Sequence, residues 1–185
     1  MKGILSFIIL STGACASSKS ATEDAHASEP QQRTQAQAEI KVLANNTNKL
    51  QGALIFQETP EGVKITGSIE GFLNSGVHGF HIHEKGDCSA ADGSSAGGHF
   101  NPQNKSHGNI EQEQSHLGDL GNINVDKKGK ATILVLKKGA TLDTSDYSYL
   151  GRSVIIHEKT DDFTTQPTGN AGARIACGVI TTLSE

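Results

Sequence analysis

The run Val63-Lys64-Ile65-Thr66-Gly67-Ser68-Ile69-Glu70 puts Val63, Ile65 and Ile69 on one side and Lys64, Thr66, Ser68 and Glu70 on the other. A period of two marks a strand with one buried face. Just before it, Thr59-Pro60-Glu61-Gly62 reads as a turn, since proline presets φ and glycine tolerates backbone angles that other residues avoid. Residues 52–57 are then its hairpin partner. Further out, short strand-like runs recur at residues 40–43, 77–83, 122–125, 131–136, 153–157 and 178–182. Asp126-Lys127-Lys128-Gly129 forms a second turn, between 122–125 and 131–136. No stretch has the period of a long helix, and two long glycine-rich stretches, 85–122 and 158–178, interrupt the strands. This pattern predicts an all-β fold, an antiparallel sandwich or barrel with one core, whose two long loops carry the chemistry.

Composition agrees. The 185 residues include 21 Gly, six Phe, two Tyr and no Trp, which suits a loop-rich β protein better than a helical bundle. Sixteen Lys and Arg against twenty Asp and Glu give a formal charge of −4. With no basic excess to grip phosphates, a nucleic-acid partner is excluded. No apolar run approaches the roughly 20 residues that a membrane-spanning helix requires.

Residues 1–15 read as an export signal, with Lys2 as the charged region, an apolar stretch over 4–10 and small residues at the end. Thr12-Gly13-Ala14-Cys15 has the ending of a bacterial lipoprotein signal, with Thr12 where an aliphatic residue is usual. Ala14-Cys15-Ala16 also fits an ordinary small-x-small cleavage site. The lipoprotein reading is favoured because three Cys leave one over if two pair, and a lipidated Cys15 accounts for it. Residues 16–38 are Ser, Ala, Gln, Thr and Glu with almost no large apolar side chain, the composition of a disordered tether. His26 lies within it and has no expected role. The folded domain is expected over 39–185, and the protein in the bacterial periplasm or cell envelope, anchored to a membrane through Cys15.

Eight His is unusual in so small a chain, and seven fall between His78 and His157. His81 and His83 lie in a strand-like run, where a spacing of two puts both imidazoles on one face and supplies half of a metal site. An isolated pair of this kind is more often two surface histidines. This pair is followed by His99, His107 and His116, with Asp119 three residues after His116, and three imidazoles with one carboxylate make a closed tetrahedral zinc set. His157 ends the apolar run Val154-Ile155-Ile156 and can join His81 and His83 if distant strands meet. Nitrogen donors without thiolates suit copper or zinc rather than calcium or magnesium.

Five stretches carry a resemblance to a known family: GFHIHEKGDC (79–88), GGHFNP (97–102), HLGDLGN (116–122), IIHEKTDD (155–162) and ARIACGVI (173–180). In this order they are similar to the copper/zinc superoxide dismutases, in particular their exported bacterial branch, and the likeness runs from about residue 39 to 185. It implies a flattened Greek-key barrel of eight antiparallel strands, one copper and one zinc ion per subunit, and dismutation of superoxide to oxygen and hydrogen peroxide by Cu(II)/Cu(I) cycling, protecting the cell envelope. His81, His83, His99 and His157 would bind copper; His99, His107, His116 and Asp119 would bind zinc. His99 would bridge the metals and, with Arg174, form the catalytic pair. His99 would relay a proton and Arg174 would guide the anion, with Lys85, Lys105 or Lys159 as further steering charges.

The resemblance also assigns Asp161 to link His81 with His107. It makes His78 a buried histidine that ties the copper strand to neighbouring backbone, and it pairs Cys88 with Cys177 in a disulfide, a bond suited to an exported protein. An expanded 89–98 and a shortened 158–170 point to the bacterial branch. They also put in doubt any transfer of a dimer surface, so homodimer and monomer both stay open. Two other classes are weaker. A non-catalytic copper/zinc-binding module would predict a missing Arg174 or an incomplete copper set, and a structural or adhesion sandwich needs none of these residues.

Overall fold

Residues 62–70 behave as their alternation predicts: Val63, Ile65 and Ile69 are fully buried, while Lys64 and Glu70 face solvent. The structure, a computed structural model, describes residues 34–183. The predicted export signal, Cys15, His26 and most of the predicted tether lie outside the described residues.

Eight strands form in chain order: β1 (Gln35–Val42), β2 (Gln51–Thr59), β3 (Gly62–Glu70), β4 (Gly76–His83), β5 (Asp119–Val125), β6 (Lys130–Lys138), β7 (Ser153–His157) and β8 (Arg174–Thr182). They close into a barrel in the order β1-β2-β3-β6-β5-β4-β7-β8, with every neighbouring pair antiparallel. The non-consecutive neighbours β3–β6 and β4–β7 mark a Greek key, whose crossing connections run from β3 to β4 and from β6 to β7. Among the described residues the helical content is one short 3₁₀ turn, Ser94–Ala96.

The β2–β3 hairpin closes at Pro60 and Glu61, with Thr59 opposite Gly62 and the Thr59 hydroxyl donating to the Gly62 carbonyl at 2.9 Å. The second predicted hairpin is looser. Its turn at 126–129 is present, but β5 and β6 pair there only through Val125 and Ala131, and β6 instead lies along β3 from Gly62–Lys138 to Glu70–Lys130. Inside the barrel, Ile40, Leu54, Phe56, Ile65, Phe80, Ile82, Val154 and Ile156 are fully buried. Burying each such side chain contributes about 1.5–3 kcal/mol.

Two boundaries differ most from the sequence reading, while β5 begins three residues earlier than expected, at Asp119. β1 begins at Gln35, so residues 35–38, expected in the tether, belong to the barrel. Ala36 and Ala38 are buried, and Gln35 and Gln37 are exposed, an alternation carried by alanines too small to stand out in the sequence. β8 begins at Arg174 rather than 178, because Ala176 pairs with both Val42 and Ile156 and so extends the sheet into the expected loop. The loops that remain are residues 84–118, between β4 and β5, and residues 158–173, between β7 and β8.

β7 is buried along its whole length, which explains its unbroken apolar run. Val154 and Ile156 face the core, whereas Ile155 faces outward into a small second cluster with Leu43, Ala96 and Cys177, against which Cys88 packs. Cys88 is disulfide-bonded to Cys177, 89 residues away, with Cα atoms 5.8 Å apart. The bond fastens the first loop to the last strand over that cluster. Closing a chain segment of that length is worth roughly 4–5 kcal/mol in the chain-entropy account. Replacing both cysteines by serine should lower the Tm of the metal-free protein by about 10–15 °C, measured by thermal melts. Its far-UV spectrum at 25 °C should be unchanged, because the strands do not depend on the bond.

Candidate metal centre

Phe80 and Ile82 of β4 point into the core, so the alternate residues His81 and His83 stand together on the outer face, where both are buried beneath the loops. His157 ends the neighbouring strand β7 at a shift in its register with β8. His99, on the first loop, returns to make a single antiparallel bridge with His83. These contacts assemble a buried group of four imidazoles, His81, His83, His99 and His157, each offering a donor atom within 4.8 Å of the others. A second buried group, His99, His107, His116 and Asp119, meets the same criterion. His99 belongs to both.

For His81, His83, His107 and His157 the protein commits one ring nitrogen and so decides which one is free. His83 Nδ1–H donates to the Gly97 carbonyl at 3.0 Å, and His157 Nδ1–H to that of Gly172 at 3.3 Å. Their Nε2 atoms are therefore lone pairs, and they face each other 3.4 Å apart. His81 Nε2–H donates to Asp161 Oδ2 at 2.7 Å, leaving its Nδ1 buried without a partner. His99 Nε2 is likewise buried and unpartnered. Four imidazole nitrogens thus meet with no protein hydrogen to share, an arrangement that a cation satisfies.

In the second group, the Nδ1 atoms of His99, His107 and His116 lie 3.0, 3.0 and 3.2 Å from Asp119 Oδ1. His107 spends its proton elsewhere, donating from Nε2 to Asp161 Oδ1 at 2.9 Å. Asp119 Oδ2 accepts the backbone N–H groups of Gly108 and His116, both at 3.0 Å, which aims Oδ1 at the three rings. Three nitrogens and one carboxylate oxygen suit a closed tetrahedral zinc site.

Electrostatics point the same way. Burial pushes His83 and His157 well below 6.5, lowers His81, and brings His99 down to about 4. These rings are neutral at neutral pH, the form that binds metal. Burial alone would also lower His107, but its hydrogen bonds to Asp119 and Asp161 outweigh that and raise it to about 9. Burial opposes ionisation of Asp119 and Asp161, yet the histidines bonded to them hold both carboxyls well below the usual range. A bound cation would take over the role of the His107 proton.

Asp161 thus sits between His81 and His107 and touches one ring of each group. Arg174, the first residue of β8, is pinned by the first loop: its guanidinium donates to the carbonyls of Gly93 at 2.5 Å and Gly97 at 2.6 Å. Its charge acts on both His83 and His157. His78 lies outside both groups. Its Nδ1–H donates to the His157 carbonyl at 2.9 Å while its ring packs on Phe72, and it is partly exposed rather than buried as expected. Among the lysines considered for steering, Lys105 is tied to the Glu113 carbonyl at 2.6 Å, while Lys85 and Lys159 are exposed.

Several supporting residues escaped the sequence reading. The Asn122 amide holds the Asp161 backbone through both of its polar groups, at 2.8 and 2.9 Å. From the barrel interior, the Tyr149 hydroxyl donates to the Leu117 carbonyl at 2.7 Å. Lys137 Nζ donates to the Ser115 hydroxyl at 3.2 Å and the Asp119 carbonyl at 3.1 Å. Burial lowers Lys137 to about 8. These two side chains grip residues 115–119, which carry His116 and Asp119, from below. Lys137 was legible in principle, because Ile133 and Val135 set an inward phase on which it falls. Tyr149 gave no such sign.

Comparison with known proteins gives the same picture. A sequence profile described as "Copper/zinc superoxide dismutase (SODC)" matches residues 50–180. The extracellular Cu-Zn superoxide dismutase of Caenorhabditis elegans is 46% identical over 143 residues, an alignment covering 74% of this chain and 63% of that protein, so the chain spans less than two thirds of that relative's length. Cu-Zn superoxide dismutase 2 of Aquifex aeolicus (strain VF5) is 40% identical over 142 residues, covering 75% of this chain and 83% of its own. Among solved structures, the clock protein EA4 superposes with a TM-score of 0.72 at 38% identity, over 82% of this chain and 96% of that one. The profile match over most of the chain, the identity to these relatives and the shared fold show that the chain belongs to the copper/zinc superoxide dismutase family.

Proposed function

We propose that this chain dismutates superoxide in the cell envelope, with copper held by His81, His83, His99 and His157 and zinc by His99, His107, His116 and Asp119. The observation that carries this reading is the pair of donor groups sharing His99, with the lone pairs of the first group left unpartnered. Copper, when bound, supplies the one-electron exchange, while redox-silent zinc supplies fixed charge and shape. In the overall reaction one superoxide is oxidised to oxygen, and a second is reduced and takes up two protons to become hydrogen peroxide.

The protein's part is to orient, to attract and to move a proton. His99 keeps Nδ1 within the Asp119 group, so its ring stays in place whatever happens at Nε2. Nε2, buried and without a protein partner, is the atom at which a proton is held and from which it is returned to the nascent peroxide. Asp161 fixes the tautomer and orientation of His81 and His107 together.

Superoxide is an anion and the chain is net negative, so capture needs a local positive field. Arg174, pinned by two carbonyls, supplies a permanent charge beside the first group. A module that only stored metal would have no use for that charge.

Export and a lipid anchor at Cys15 complete the proposal. The signal-like residues 1–15 and the extracellular nematode relatives support export, and residues 16–34 would form the tether. If Cys15 is the anchor, the mature chain begins there and carries acyl mass. An unmodified start at Ala16 or Ser17 in intact-mass analysis would overturn that part.

Two substitutions test the centre. His157→Ala should reduce copper-dependent superoxide decay by at least about a hundredfold, beyond the loss caused by removing a partner of a ligand, while zinc content stays near one per chain. Retained turnover would refute the assignment. Arg174→Glu should slow decay by about ten- to a hundredfold and flatten or reverse its dependence on ionic strength. An unchanged rate and salt curve would move the steering role to other residues.

A further inference from the structure

Among the described residues, three side-chain amides grip another residue's backbone through both its N–H and its C=O. Asn101 holds Lys105, Asn122 holds Asp161, and Gln166 holds His107. The third joins the two loops. Gln166 Oε1 accepts the His107 N–H at 2.8 Å, and its Nε2 donates to the His107 carbonyl at 2.9 Å. Residues 158–173 therefore hold His107 twice, by its backbone through Gln166 and by its ring through Asp161.

The two contacts do different work. The carboxylate of Asp161 fixes Nε2 but leaves the His107 backbone free to shift with the first loop. The Gln166 amide holds the peptide groups on either side of the Cα atom from which the ring projects. On the near side it is the partner of the His107 N–H, while the following peptide group is also held by Asp119 Oδ2 through the Gly108 N–H. With both in place, His107 Nδ1 is aimed at the Asp119 group before any cation arrives. The fit is close: Gly169 sits over the junction with φ +63°, and a side chain there would collide with Asp161 and with His107. Gln166 itself is an exposed residue whose amide end turns inward, so its removal takes away the two hydrogen bonds to His107 and a long one to the Thr164 carbonyl, at 3.4 Å, without opening the core.

We propose that Gln166 is a positioning residue for zinc, which presets His107 and so couples zinc retention to the second loop. The proposal rests on the zinc assignment above. It requires Gln166→Ala to weaken zinc binding selectively, by about tenfold, the low end of what is lost with partners of metal ligands. Gln166→Glu keeps an acceptor for the His107 N–H but loses the donor for its carbonyl, and should fall between.

The test uses the full chain loaded with copper and zinc. Zinc affinity is read by competition with a chromophoric chelator, and site geometry from the visible absorption of cobalt(II) in place of zinc. Copper affinity and the Tm of the metal-free protein are measured alongside. The expected result is faster zinc loss and altered cobalt bands in Gln166→Ala, a smaller change in Gln166→Glu, and unchanged copper affinity and metal-free Tm. Zinc affinity equal to wild type in Gln166→Ala would overturn the proposal, as would parallel losses of copper affinity and metal-free Tm, the mark of a merely structural loop contact. A wild-type chain that holds no zinc would overturn the zinc assignment and the clamp together.

Discussion

Four of the six buried rings of the centre aim one nitrogen inward because the other nitrogen is already engaged. Gly97, Gly172 and Asp161 are the acceptors that enforce this for His83, His157 and His81, and Asp161 does the same for His107. A free imidazole can present either nitrogen, and a cluster of such rings could satisfy itself by hydrogen bonding one to another. Here the outer acceptors remove that option, leaving lone pairs whose common partner is positive charge. The acceptors come mainly from the two loops, so the centre requires the loops to be held as firmly as the strands.

The barrel supplies that firmness at few points. The disulfide and the Leu43–Ala96–Ile155 cluster fasten the first loop near its start, where Gly93 and Gly97 receive Arg174 and Gly97 also receives His83. Tyr149 and Lys137 fasten the same loop near its end, beneath His116 and Asp119. Asn122, on β5, fastens the second loop at Asp161. Catalytic geometry on long loops thus depends on a handful of buried polar contacts, each worth little by itself in water but costly to leave unmade inside a protein.

What could be read from the sequence follows from how local each signal is. Alternation revealed β3 and the phase of β4, and an unbroken apolar run revealed β7, because large apolar residues mark a buried face wherever they occur. It failed at the start of β1, where Ala36 and Ala38 do the burying. The donor residues stood out because few other reasons gather seven histidines into eighty residues, and the five motifs tied them to one family. The side chains that support them were not visible. Asn122 and Gln166 act on backbone groups 39 and 59 residues away, and an amide that will meet a distant peptide group looks, in sequence, like any polar loop residue.

Closure of the barrel has a consequence of its own. A sheet that returns on itself shortens the rows of unpaired N–H and C=O groups, here to the seam where β5 meets β6 through a single pair, and such rows are where chains add to one another when crowded. β1 is the strand that completes the circle, lying between β2 and β8. It is also the first strand after the residues read as an export signal, so a cut a few residues too far into the chain would open two sheet edges at once. The alanines and glutamines at its start, the least conspicuous part of the domain, guard the protein against assembling with itself.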